Sequence, residues 1–252
     1  MTLTGARPDK AFWLTALRQE AATLRLAAVT DGALDATVPS CPDWTVADLL
    51  RHTGVGCRWL ATHLVRGVAT EPDEGRPELP DDAALLPWWD ESLAACLTAL
   101  DRTDTDLPAW NWAPQPKVAG FWHRRWAHEM AVHRWDAQVA VGLPEPIDTA
   151  LAVDGVVEVL DSWLPSNPVR EHGDDGVIQL IADDTEESWQ IRVRGDGLSL
   201  LDTATLLPEE RDIDVRATGS ASDVELAVYG RVPFDILKVD GRESLLDALR
   251  VG

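Results

Sequence analysis

The chain has 252 residues, enough for one large domain or two small ones with real cores, and carries a formal net charge of −21. Such a surface repels phosphate backbones and anionic lipid, so nucleic acid and membrane surfaces are poor partner candidates. No apolar run approaches the length of a membrane span, and the opening MTLTGARPDK lacks the charged-then-apolar layout of a signal peptide, which together predict a cytoplasmic protein.

Up to about residue 145 the pattern is helical. Residues 9–29 carry an apolar stripe through Phe12, Leu17, Leu24 and Ala28, ended by Asp31 and Gly32. A stretch rich in turn formers, VPSCPDW, reads as a loop. Thr45 followed by Asp48 resembles a capping box and opens a second helix to about Val65, whose inward face reads Leu49, His52, Gly56, Trp59, His63. Gly67 stops it, the acidic stretch from Ala69 to Pro80 reads as an exposed loop, and Asp82 to Leu100 as a third helix. The loop TDTDLPAWNWAPQPKVAG leads into a fourth, about Phe121 to Val141. Four helices of this length predict a bundle over residues 1–145.

Beyond GLPEP the period shifts. Residues 147–164 still read as helix, but Val177–Ala182, Trp189–Val193, Leu198–Leu201 and Ile213–Ala217 alternate or run apolar, as antiparallel strands do. Asp183–Asp184 and Gly195–Asp196–Gly197 are the expected turns. Ser222–Tyr229 reads as a short helix, Ile236–Val239 as a strand and Arg242–Val251 as a closing helix, which makes residues 146–252 an α+β domain.

Cys41, Cys57 and Cys96 are an odd number at no metal-ligand spacing, so free thiols are expected. Twelve Trp accompany a single Tyr; most should be core, with a minority lining a pocket.

The chemistry concentrates on the fourth helix. Trp122, Trp126, Glu129, His133, Asp136 and Ala140 advance in steps of four and three, the spacing of an inward seam. Glu129 and His133 are one turn apart and emerge on the same face, and with His52 from another helix they form a potential ligand set. A lone His on such a seam is more often a core residue with its hydrogen bonds satisfied. A carboxylate there is harder to explain without a cation, and pairing with Arg51 or Arg58 is the competing explanation for Glu129. Asp136, one turn beyond His133, could orient a ligand imidazole or pair with Arg or an indole N–H. His128 lies about 140° around the helix from His133, so HEMAVH is not a zincin HExxH. His63, His123 and His172 are read as surface or core residues. Two His and one Glu suit zinc or another divalent first-row metal and leave positions open for water or a substrate atom.

Long segments resemble a known family. VPSCPDWTVADLLRHTGVGCRWL resembles the VPxCPGWTVxDLxxHxxxxxxW signature, and HEMAVHRWDAQVAVG the HExxVHRWDAxxAxG signature, of the mycothiol-dependent maleylpyruvate isomerase family of actinobacteria. Asp43 stands where glycine is commoner. The resemblance implies a DinB-like four-helix bundle followed by a small α+β unit similar to sterol carrier proteins, the latter matched by DIDVRATGSASDVELAVYGRVPFDILKVDG. It implies metal ligands at His52, Glu129 and His133, and a functional arginine at Arg231. It also implies a chemistry in which the thiol mycothiol, activated at the metal, adds to an electrophilic small molecule. Rotation and elimination then give a cis-trans isomerisation, or the first step alone gives an S-transfer. A metal-dependent hydrolase using bound hydroxide and a non-catalytic metal or small-ligand binding module are the alternatives.

Overall fold

The structure is a computed structural model and describes residues 8–73, 78–166, 175–194, 197–201 and 212–251. It divides into two units, one over Pro8–Glu145 and the other mainly over Pro146–Gly252.

Among the described residues of the first unit, four long helices dominate: α1 (Lys10–Ala28), α2 (Val46–Val65), α3 (Asp82–Arg102) and α4 (Gly120–Ala140). Three begin on a side-chain cap: Asp9 accepts from the Phe12 N–H, Asp81 from the Ala84 N–H, and Thr45 and Asp48 form the reciprocal capping box expected from their spacing. The box also holds the Asp48 carboxyl below its usual range, chiefly through the Thr45 backbone N–H, then the Thr45 hydroxyl, and with help from Arg51. Helix α1 packs most extensively on α4, and α2 on α3. Leu17, Leu24, Leu49, Leu50, Leu60, Leu64, Leu85, Leu100 and Met130 are fully buried between them. Removing such a Leu from water is worth about 1.5–3 kcal/mol. The buried indole of Trp89 has its polar tip satisfied by the Thr53 hydroxyl at 2.9 Å.

VPSCPDW is not a plain loop. Its residues form a two-stranded antiparallel hairpin, β1 (Thr37–Val38) with β2 (Cys41–Thr45), immediately ahead of α2. Strands this short, one holding Pro42, carry no alternation to reveal them.

The second unit opens with α5 (Thr149–Glu158), which continues through a π turn, Val159–Trp163, into the short α6 (Leu164–Ser166). A five-stranded sheet follows: β3 (Gly176–Ala182), β4 (Ser188–Arg194), β5 (Gly197–Leu200), β6 (Val215–Gly219) and β7 (Lys238–Gly241), in spatial order β5-β4-β3-β6-β7. Trp189, Ile191 and Val193 alternate inward along β4, the period of a half-buried strand. Helix α7 (Ala221–Val228) packs on β3 and β6, and α5 packs on α7.

Three expectations are corrected here. The sheet is mixed, because β6 runs parallel to β3 while the other pairs are antiparallel. Parallel neighbours are decided by pairing between segments remote in sequence, which alternation cannot report. Ile236 ends a 3-10 turn, Phe234–Ile236, and β7 begins only at Lys238; and the expected closing helix is a 3-10 run, Glu243–Leu249. The Asp183–Asp184 turn is present, whereas Gly195–Asp196 and His172 lie outside the described residues. Among the described residues no helix is long and apolar enough to cross a membrane. Cys41, Cys57 and Cys96 are free thiols.

Candidate metal centre

Helix α4 is buried on most of its circumference, including Arg125, His133, Arg134 and Asp136, so each of its charged groups needs a partner. Arg134 finds Glu20 of α1 at 2.6 Å and Gln138 at 2.8 Å. Glu129 instead faces His52 of α2.

His52, Glu129 and His133 come together. His52 Nε2 lies 3.1 Å from Glu129 Oε1, and His133 Nε2 lies 3.2 Å from the same oxygen. One donor atom from each of the three lies within 4.8 Å of the others. Ligand atoms on a tetrahedral ion with bonds of about 2.0–2.1 Å stand roughly 3.3 Å apart, so the spacing fits a small divalent cation. The imidazole rings of His52 and His133 meet edge to face at 5.0 Å, and the Trp44 ring lies tilted against His52 at the same centroid distance, 5.0 Å.

His52 is not inward-facing as its place in the α2 pattern suggested. Its side chain is 44% exposed and that of Glu129 20% exposed, while His133 is buried. The buried face of α2 runs through Val46, Leu49, Leu50, Thr53, Cys57 and Leu60 toward α3, leaving His52 at the edge. Helices α2 and α4 approach there because Gly56 has no side chain: a Cβ at Gly56 would come within 2.7 Å of the Trp126 ring. Gly56 is one turn from His52, and Trp126 nearly one turn from Glu129.

His133 carries the electrostatic tension of the site. Its Nδ1 is 3.0 Å from Asp136 Oδ2 and its Nε2 faces Glu129 Oε1. A neutral ring has one N–H, so it can satisfy one of these carboxylates; the second nitrogen needs either another proton or a cation beside it. Burial disfavours the charged ring, but the Glu129 charge and the Asp136 hydrogen bond outweigh it and lift the pKa to about 9. Glu129 correspondingly stays ionised well below the usual carboxylate range despite burial, held there by His133, His52 and Arg125. The donor set thus attracts positive charge between a carboxylate and two imidazoles, which is the condition a metal ion meets.

Two supporting residues escaped the sequence reading. Ser40, at the tip of the β1–β2 hairpin, donates to Asp136 Oδ1 at 2.6 Å, so both oxygens of that fully buried carboxylate are engaged. Asp136 meets the His133 ring in the geometry of an orienting carboxylate. The arginine on Glu129 is neither Arg51 nor Arg58. Arg51 pairs with Asp48 at 3.1 Å and with Asp82, and Arg58 donates to Ser92 at 2.6 Å while lying over the Trp88 ring. Arg125, one turn before Glu129 on α4, donates from Nη2 to Glu129 Oε2 at 3.0 Å. That i,i+4 spacing was legible in RRWAHE.

The remaining histidines of this unit are core. His63 donates from Nε2 to the Trp110 carbonyl at 2.8 Å and stacks on Trp59; His123 lies between the Ala119 and Leu100 carbonyls at 2.8 and 2.9 Å. Burial pushes both pKa values down. His128 is buried and outside the donor set. Arg231 belongs to the second unit. It follows Gly230, whose φ of 70° closes the C-terminus of α7, and its Nη1 donates to the Tyr229 carbonyl at 2.9 Å.

Comparison with known proteins agrees with this architecture. Residues 14–138 match the family model of the mycothiol maleylpyruvate isomerase N-terminal domain. No curated protein matches the chain. Among solved structures, the crystal structure of the mycothiol-dependent maleylpyruvate isomerase is 15% identical, with a TM-score of 0.64 over 92% of this chain and 93% of that one. A histidine-to-alanine variant of that isomerase gives 14% identity and the same TM-score and coverage. At such identity the likeness is one of fold, and it spans both units. Residues 14–138 of the chain thus belong to the mycothiol maleylpyruvate isomerase N-terminal domain family.

Proposed function

We propose that this protein is a mycothiol-dependent enzyme whose N-terminal domain, residues 1–145, is a DinB-like four-helix bundle holding a divalent metal ion on His52, Glu129 and His133. The observation that carries the reading is the convergence of those three donor groups, with His133 held between two carboxylates. Zinc suits two imidazoles and a carboxylate, and three protein ligands leave a position for an exogenous atom. When bound, the ion would stabilise the sulfur of mycothiol as thiolate, the form that adds to an electrophilic small molecule.

The protein's own groups have separable tasks. Asp136, itself held by Ser40, takes the Nδ1 proton of His133 in a hydrogen bond and so turns the Nε2 lone pair toward the ion. Glu129 offsets the ion's charge. The exposed edge at His52 leaves the donor set open on one side, which favours catalysis over the closed sphere of a structural site. Residues 146–252 form a sterol-carrier-like second domain, and its Arg231 holds an anionic group of the electrophile, since a guanidinium grips a carboxylate bidentately. The family match supports cis-trans isomerisation of a maleylpyruvate-type substrate, with S-transfer as its one-step variant. Free thiols and an acidic surface suit a cytoplasmic enzyme acting on small molecules.

The same open set could instead hold hydroxide for hydrolysis, or bind an ion without turnover. The test is elemental analysis of purified protein, followed by turnover of maleylpyruvate with and without mycothiol. About one divalent ion per chain and strictly thiol-dependent turnover are expected. Full metal content in His133→Ala would remove the ligand assignment. Equal turnover without thiol would favour the hydrolase.

A further inference from the structure

Glu129 has two oxygens with different duties. Oε1 faces both imidazoles, at 3.1 and 3.2 Å, while Oε2 accepts from Arg125 Nη2 at 3.0 Å. The Arg125 side chain is only 4% exposed. Water therefore has little access to replace Glu129 as its partner, and leaving a buried guanidinium without that carboxylate oxygen would be costly.

Resting on the metal-centre reading above, we propose that Arg125 is a positioning residue that confines Glu129 to one-oxygen ligation and thereby keeps a coordination place vacant for the thiol. A carboxylate beside an ion can supply one oxygen or two. Two from Glu129 would fill the place an exogenous sulfur needs. Arg125 prevents this by engaging Oε2 in its own hydrogen bond while Oε1 meets the imidazoles.

Charge points the same way. With neutral imidazoles, Glu129 and Asp136 contribute two negative charges and Arg125 one positive, so a divalent ion leaves this group of residues with an excess of one positive charge. An anionic sulfur neutralises it. Without Arg125 the excess vanishes before the thiol arrives, and the carboxylate gives the ion its full charge. Arg125 thus favours an anionic thiolate by two routes, vacancy and charge, without itself touching the thiol.

The experiment uses the full chain loaded with zinc or cobalt, comparing wild type with Arg125→Gln and Arg125→Lys. Three readouts are needed: X-ray absorption for the number and distance of oxygen neighbours, the intensity of the cobalt d–d bands, and mycothiol affinity from the sulfur-to-cobalt absorption. Wild type should show one carboxylate oxygen on the ion. Arg125→Gln should gain a second, with weaker d–d bands and a mycothiol dissociation constant about tenfold higher, at the lower end of what loss of an outer partner costs. Arg125→Lys keeps the charge but lacks the rigid fork, and should fall between. Unchanged coordination and thiol affinity in folded, fully loaded variants overturn the proposal. If Arg125→Gln does not fold, wild type alone decides, because two Glu129 oxygens on its ion overturn the proposal equally. A wild-type chain that takes up no ion would instead count against the metal centre itself.

Discussion

His133 Nδ1 and Asp136 Oδ2 lie 3.0 Å apart on consecutive turns of α4, and Asp136 has no exposed surface. The contact ties the ring's orientation to a carboxylate that is itself tied to the β1–β2 hairpin through Ser40. Asp136→Asn preserves shape but lets the amide present either a donor or an acceptor, so the ring loses its preferred tautomer. Metal affinity should fall by about 10–100-fold, with Ser40→Ala weaker in the same direction. Competition with a chromophoric chelator measures both. Unchanged affinity in Asp136→Asn would show that the ring is held by packing alone.

Gly56 sets the approach of α2 to α4 beside the donor groups, because a methyl there meets the Trp126 ring. Gly56→Ala should destabilise the fold by about 1–3 kcal/mol, as overpacking does, and widen the gap between His52 and Glu129. Urea unfolding gives the first quantity and zinc affinity the second. A variant as stable as wild type and with full affinity would mean that Trp126 swings away at little cost.

His123 is fully buried, and burial holds its pKa below the ordinary value of 6.5. A histidine with a depressed folded pKa contributes stability that is complete above about pH 6.5, its value in the unfolded chain, and is lost as pH falls toward the folded value. Unfolding midpoints should therefore drop between pH 7 and 5.5, with a shallower slope in His123→Gln. The comparison is best made on protein stripped of metal, where ion loss at low pH does not add to the slope. Parallel slopes would remove His123 as a contributor.

Arg231 is proposed to bind an anionic group of the electrophile. Arg231→Lys should lose turnover of maleylpyruvate while metal content and circular dichroism stay unchanged, because a single ammonium orients a carboxylate less well than a guanidinium. Arg231→Ala should lose more. Wild-type kinetics in both would leave Arg231 as a brace for the turn after α7, where it already reaches the Tyr229 carbonyl.

Much was legible in the sequence because it rests on short-range chemistry. Helical period, the Thr45–Asp48 box and the one-turn spacing of Glu129 and His133 are properties of neighbouring residues. Alternation in Trp189, Ile191 and Val193 likewise reports a strand with one buried face. The tertiary structure decided what depends on partners far along the chain. It selected Arg125 over Arg51 and Arg58 for Glu129, because competing carboxylates at Asp48, Asp82 and Glu91 occupy the other two. It put His52 at an edge, because α2 turns its wider apolar face to α3. It also brought Ser40 to Asp136 across 96 residues, and made β6 a parallel neighbour of β3. A sequence reports which groups a segment can offer; which of several equivalent groups is used depends on distances that exist only once remote segments have packed.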